Sequence, residues 1–358
     1  MDAIADTIFT DLPTTDELTE NPSLLTVVFE MSPNSWHSIK DQISIQDAVK
    51  ALIVFLNTHL SLNNSNQVAF LAALPTGARM LYPNVKKADD SQETPLVKAG
   101  MYRHFRLVDD TILREINREL QLLLATDSEA GAESSTLSGA LLMALAYTNR
   151  MLHIDQSIST TTASAISSTT SAAASGSGND HTLGSSLLQT KMSARILVVT
   201  ANDSHESKYI AIMNSIFAAQ KMQVPVDVVK LGALDSPYMQ QAADATNGVY
   251  LHNREPRGLI QTLSTAYFVE PCLRSLIILP TSANVDYKAS CFVTGKPVDI
   301  GYVCSVCLCI LSTIPELSKC PVCKSKFDDS IVAKLRRGPV LVRKKRKIEG
   351  AENGSAAA

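Results

Sequence analysis

Four cysteines near the end of the chain, Cys304-x-x-Cys307 and Cys320-x-x-Cys323 with 12 residues between the pairs, constrain this sequence more than any other feature. Both thiolates of a CxxC turn can reach one ion, and two such turns supply the four sulphur ligands, at about 2.3 Å, of a tetrahedral zinc site. A redox CxxC is single and opens a helix after a strand, which neither pair does. Six of the seven cysteines lie between Cys291 and Cys323, with Cys272 alone upstream. Clustering of that kind favours metal over disulfides in a reducing compartment. The reading is one structural zinc ion on Cys304, Cys307, Cys320 and Cys323. Cys291 and Cys309 are then either packed as small apolar side chains or able to replace one of the four. A cross-braced RING needs eight ligands, and the region after residue 287 offers six cysteines and no histidine. A module of about 45 residues, placed at 287–332, has too small a core to fold without its ion.

Upstream, strands and helices alternate. Leu24 to Phe29 (LLTVVF) is a continuous apolar run of the kind buried on both faces of a sheet. A Ser-Pro-Asn-Ser loop follows at Ser32 to Ser35. Ile45, Val49, Leu52, Ile53, Leu56 and Leu60 then recur at helical spacing behind a Ser44 N-cap. Gln67 to Leu74 and Ala78 to Tyr82 form a hairpin about Pro75-Thr76-Gly77. Helical patterns cover 109–125 and 136–152. Strand and helix then alternate from Arg195 to Phe268: strands at 195–200, 226–231 and 248–252, helices at 208–222, 237–246 and 257–268. This order predicts an α/β fold with a doubly wound, mostly parallel sheet over 20–275. Between Ser157 and Gly178, 18 of 22 residues are Ser, Thr or Ala, a composition that buries too little apolar surface to order itself. The expectation is a disordered insertion at about 155–190 within one α/β domain, followed by a linker at 276–286.

Charge is distributed unevenly. Eight basic residues and no acid lie between Lys334 and Lys347, and removing them from the net charge of −3 leaves −11 for the rest. The body is therefore a poor electrostatic match for nucleic-acid phosphates. Residues 1–19 form an acidic tail, unlike the cationic start of a signal or transit peptide, and no apolar run approaches a membrane span. In the basic tail, 333–358, the run Arg343, Lys344, Lys345, Arg346 and Lys347 has the form of a nuclear-localisation signal. No aromatic residue from Lys334 onwards could stack on bases. No phosphate-binding glycine loop follows a strand, and Asn202-Asp203-Ser204-His205 reads as a polar loop rather than a catalytic set.

At this point the residues resemble a family. Gly301-Tyr302-Val303-Cys304-Ser305-Val306-Cys307-Leu308-Cys309, preceded by Cys291 and followed by Cys320-Pro321-Val322-Cys323, resembles the C-terminal C4 zinc finger of the smaller von Willebrand factor A (vWA) subunit of transcription factor IIH. The upstream elements agree in order and length, so the resemblance covers about residues 20 to 330. It implies a Rossmann-like vWA domain followed by a zinc finger, and a nuclear, non-catalytic scaffold. Its implied partners are the larger vWA, zinc-binding subunit and the other core subunits, in transcription initiation and nucleotide excision repair. No small-molecule substrate or membrane is implied, and DNA contact is at most indirect.

Metal-binding vWA domains end their first strand in D-x-S-x-S and add a threonine and an aspartate from later loops, giving an oxygen site for Mg²⁺. Here the first strand ends Glu30-Met31-Ser32-Pro33-Asn34, Ala201 stands where the aspartate belongs, and Thr136 resembles the threonine loop. The departures imply no Mg²⁺, with Ser32 to Trp36 and Asn202 to His205 as candidate contact loops. Two other classes remain as alternatives: a zinc-ribbon reader of nucleic acid, and a RING-type ubiquitin ligase.

Overall fold

The computed structural model describes residues 21–84, 103–125, 136–170, 192–203, 209–277, 279, 285–315 and 318–336. The chain divides into two compact units, Met1–Lys288 and Ala289–Ala358. The first is the doubly wound, mostly parallel α/β unit that the strand–helix alternation predicts. Its six strands are β1 (Ser23–Glu30), β2 (Gln67–Leu74), β3 (Gly77–Tyr82), β4 (Ser193–Thr200), β5 (Val226–Lys230) and β6 (Tyr250–His252), in the spatial order β3-β2-β1-β4-β5-β6. Only the hairpin strand β3 runs antiparallel.

The uninterrupted apolar character of β1 follows from its central position, where each face packs against a separate core. Leu25, Val27 and Phe29 meet the helix Ile45–Leu62 and the helix Arg103–Ala125 on one face. Leu24 and Val28 meet the helices Leu137–Thr170, Tyr209–Met222 and Pro237–Ala245 on the other. The helix Ile45–Leu62 begins where the sequence places its cap, with the Ser44 hydroxyl accepting from the Asp47 N–H at 3.1 Å. Among the described residues no helix is long and apolar enough to cross a membrane.

Several elements differ from the sequence reading. The Ser32 to Ser35 loop is mostly a short helix, Pro33–Ser38, started by a proline whose fixed φ suits the first helical turn. The first part of the expected disordered insertion is helical. The helix from Leu137 continues to Thr170, because a helix already anchored in a core is extended by Ser, Thr and Ala at little cost once nucleated. Residues 171–190 of that insertion lie outside the described residues. The single helix expected at 257–268 is instead a 3₁₀ turn at Pro256–Gly258, a helical turn at Leu259–Thr262 and a π turn at Leu263–Tyr267. The widened turn accompanies the Tyr267 hydroxyl donating to the Val228 carbonyl of β5. The linker expected at 276–286 is held at its end, where Gln241 Nε2 donates to the Asp286 carbonyl at 2.7 Å.

His59, fully buried, places Nε2 3.2 Å from the Ser23 carbonyl, which requires the neutral tautomer protonated at that nitrogen. Burial, helped by the neighbouring Arg195 charge, lowers its pKa from 6.5 to about 4. The unfolded chain therefore takes up a proton that the folded one refuses. Stability from this group is fully present above pH 6.5 and is lost as pH falls towards 4, by ~3 kcal/mol in all. Denaturant midpoints of His59→Gln should fall less than those of the parent between pH 7 and pH 4.5. Equal pH slopes would show that His59 is solvated.

Candidate functional site

Among the described residues, the cysteine cluster of the C-terminal unit and the C-terminal edge of the sheet bring candidate ligand groups together, and the first is the richer. Its backbone repeats one hairpin three times. In the first, Cys291 N–H donates to the Lys296 carbonyl and Gly295 N–H to the Cys291 carbonyl, both at 2.9 Å. In the second, Cys304 N–H donates to Cys309 and Leu308 N–H to Cys304. In the third, Cys320 N–H donates to Ser325 and Lys324 N–H to Cys320. The residue after each turn, Gly295, Leu308 or Lys324, has positive φ, at 69°, 59° and 60°. The pairs Ser290–Pro297, Val303–Ile310 and Lys319–Lys326 close the three hairpins at the same relative position.

The sequence announces the second and third of these knuckles by CxxC. It conceals the first, because Thr294 occupies the place of the second cysteine. The available signal was Gly295, at the one turn position where a left-handed backbone is cheapest without a side chain.

Sulphurs from the second and third knuckles converge. The Sγ atoms of Cys304, Cys307, Cys309 and Cys320 all lie within 4.8 Å of one another. Cys304 to Cys323 is 3.7 Å, Cys307 to Cys320 is 3.5 Å and Cys309 to Cys320 is 3.4 Å. The four cysteines of the sequence reading are thus neighbours, and Cys309, there a possible replacement for one of them, joins them. Cys291 stands with Ser312 instead, whose N–H and hydroxyl each lie 3.2 Å from its sulphur. Burial opposes ionisation of Cys291, but donors from Ser312 and Thr294 outweigh it and bring the thiol down to about 6.

The convergent sulphurs pull in opposite directions. Backbone N–H groups of Cys307 and Val306 bring Cys304 down to about 6. Burial raises Cys309, and the neighbouring Cys320 adds to the effect. For Cys307 the Cys309 N–H favours the thiolate, but burial and the sulphur contacts with Cys309, Cys320 and Cys323 together outweigh it, and the thiol rises. Thiols this crowded cannot all ionise on their own account, and a divalent cation at their centre removes the conflict. The donor set, soft sulphur with tetrahedral-edge spacings, fits zinc.

The second place is the sheet edge between the C-terminal ends of β1 and β4, where strand order reverses and ligands bind in open α/β sheets. Here the polar groups satisfy one another. The Glu30 carboxylate, 3% exposed, accepts from the Thr200 hydroxyl and from Asn202 Nδ2. Trp36 folds back from the first loop and donates from Nε1 to the Glu30 carbonyl at 2.7 Å. Asp203 accepts from the buried Lys230 ammonium at 2.6 Å and from the Ala233 and Leu234 N–H groups. Burial raises Asp203, yet these donors prevail and hold its carboxyl below the usual range. The Thr136 hydroxyl donates to the Leu74 carbonyl. Of the remaining vWA positions, Ser32 gives its carbonyl to the Trp36 N–H, Asn34 is exposed and Ala201 is buried without an oxygen to offer. The carboxylates at this edge are engaged by protein donors, an arrangement that does not fit an oxygen-ligated cation. Of the candidate contact loops, Trp36 is buried, while Ser204 and His205 lie outside the described residues. The basic run Arg343 to Lys347 also lies outside them.

Comparison with known proteins gives concordant matches. The model of the family described as transcription factor Tfb4 matches residues 22–324. The chain is 55% identical to the general transcription and DNA repair factor IIH subunit TFB4 of Debaryomyces hansenii, over 99% of this chain and 98% of that one. It is 40% identical to the Saccharomyces cerevisiae protein of the same name, over 97% and 98%. Among solved structures it is similar to the TFIIH p34 N-terminal domain, with 28% identity, a TM-score of 0.49, and coverage of 70% of this chain and 99% of that one.

Proposed function

The chain belongs to the transcription factor Tfb4 family, and from that premise we propose that it is a non-catalytic structural subunit of the transcription factor IIH core. In this reading its α/β unit and zinc module dock on the larger vWA subunit, and the assembly supports helicase-driven DNA opening in RNA polymerase II initiation and nucleotide excision repair. The nucleus is its place of work, with Arg343 to Lys347 as the import signal.

The observation that carries the reading is the full-length correspondence with subunits of that factor. The sheet edge supports a scaffold, since Glu30, Thr200, Asn202, Asp203 and Lys230 are engaged with one another where an enzyme of this fold would present free groups to a substrate. The zinc module supports docking. Ile300, Val303, Val306, Leu308 and Ile331 are each more than half exposed on a unit this small, the kind of apolar surface that marks a protein contact. One zinc ion is held by the cysteines of the second and third knuckles, and Mg²⁺ has no role.

A tagged full-length chain incubated in nuclear extract of its own cells should retain the other subunits of the factor in stoichiometric amounts, with no magnesium added. Recovery of the chain alone would defeat the assembly reading. Capture that appears only on adding Mg²⁺ would defeat the account of the sheet edge.

A further inference from the structure

Four sulphurs of the second and third knuckles, Cys304, Cys307, Cys309 and Cys320, lie within 4.8 Å of one another, and a fifth, Cys323, stands 3.7 Å from Cys304, which makes one more than a tetrahedral ion can bind. Cys309 occupies the position that closes its own knuckle, its carbonyl accepting from the Cys304 N–H at 3.0 Å. Its side chain turns inward, to 3.4 Å from the Cys320 sulphur. The residue at the equivalent position of the facing knuckle is Ser325. Its carbonyl accepts from the Cys320 N–H, and its hydroxyl lies 3.0 Å from the Cys323 sulphur and 3.7 Å from that of Cys304.

The closing residue of either facing knuckle therefore looks into the cluster. A hydroxyl there can only hydrogen-bond a ligand, whereas a thiol can become one. A tetrahedron with zinc–sulphur bonds of about 2.3 Å has edges of about 3.8 Å. The Cys304–Cys323 separation of 3.7 Å and the Cys309–Cys320 separation of 3.4 Å are both within a small adjustment of that edge.

We propose that Cys309 is an exchange ligand: the module holds one zinc ion through Cys304, Cys307, Cys320 and either Cys323 or Cys309, the two sets interconverting by replacement of one thiolate with the other. The exchange is balanced without an oxidant. The zinc–sulphur bond to the departing residue breaks as the new one forms, and the proton of the incoming thiol passes to the departing thiolate directly or through water. The inference rests on reading the cluster as a zinc site.

The test uses the full-length chain and three variants, Cys309→Ser, Cys323→Ser and the double substitution. Zinc per chain is measured after a fixed chelator challenge. Cobalt(II) then replaces zinc, and its thiolate-to-metal charge-transfer absorption counts the sulphur ligands. The parent and both single variants should keep one ion with a four-thiolate spectrum. The double variant should drop to three thiolates and lose its metal in the same challenge. Loss from Cys323→Ser alone, loss from Cys309→Ser alone, or retention of four thiolates in the double variant would each overturn the exchange. A parent chain with no zinc would instead overturn the zinc reading on which it rests.

Discussion

Cys304→Ser should release the zinc ion and unfold the C-terminal module, while the α/β unit keeps its cooperative transition. Cys304 belongs to both ligand sets, so neither set is complete without it. The module has little else to hold it. Among its described residues only Ser290, Cys291, Cys304, Leu311, Cys320 and Val332 are buried, and half of these are cysteines. Two aliphatic side chains cannot offset the ordering entropy of more than forty residues, at about 1–2 kcal/mol each for the backbone alone. Zinc binding in modules of this size contributes about 10–16 kcal/mol, which becomes folding free energy. The outcome is measured as zinc per chain, and as protease cleavage confined to the segment after Lys288. The chain's one tryptophan, Trp36, is buried in the α/β unit and reports that unit separately. Retention of a full equivalent of zinc, or simultaneous loss of the Trp36 transition, would refute the prediction.

Much of this architecture was legible because the sequence patterns are set by burial. Val27, Val28 and Phe29 are apolar without alternation because both faces of β1 are covered, and that pattern has few other meanings. The facing CxxC pairs were equally plain. Departures arose where tertiary contacts or backbone geometry decided the outcome. The extension of the helix to Thr170 depends on an anchor upstream of the Ser/Thr/Ala run, which composition counted over that run alone ignores. The turns at 256–267 follow Tyr267 reaching β5, a contact 39 residues away in sequence. Cys309 was readable only as a substitute ligand, on a par with Cys291, because spacing rules count the two turn positions of a knuckle and omit the residue that closes it; the fold separates the two, bringing Cys309 and not Cys291 to the cluster. The Thr294 knuckle was hidden because a scan for cysteines cannot see a repeat of backbone hydrogen bonds. At the sheet edge the loss of the vWA aspartates was readable in Glu30 and Ala201, but the pairing of Lys230 with Asp203 was not. The two residues lie on successive strand ends, and only the fold brings them together.

The second large effect is expected at the opposite edge of the same sheet, where Arg274→Ala should cost the α/β unit about 3–5 kcal/mol. Asp227 sits near the start of β5 with its side chain 1% exposed, and Arg274 meets it with two parallel bonds of 2.6 and 2.7 Å. The Val249 N–H also donates to Asp227, at 2.9 Å. Arg274 lies in the short 3₁₀ turn Pro271–Ser275, and the chain just before it is fastened by Arg195, whose Nη1 donates to the Tyr267 and Val269 carbonyls at 2.6 and 3.2 Å. Removing the Arg274 guanidinium leaves Asp227 buried with one backbone donor, and that uncompensated charge, rather than the lost attraction, accounts for most of the destabilisation. Removing both partners should therefore do less harm than removing one. Asp227→Leu combined with Arg274→Met should recover most of the loss, because a buried ion pair exchanged for apolar side chains of similar volume is often neutral. Urea midpoints followed by Trp36 fluorescence give the comparison. A single-variant cost below about 1 kcal/mol, the range of exposed pairs, would show that water reaches Asp227. A double variant no more stable than Arg274→Ala would show that the pair's geometry, and not its charge, holds the segment in place.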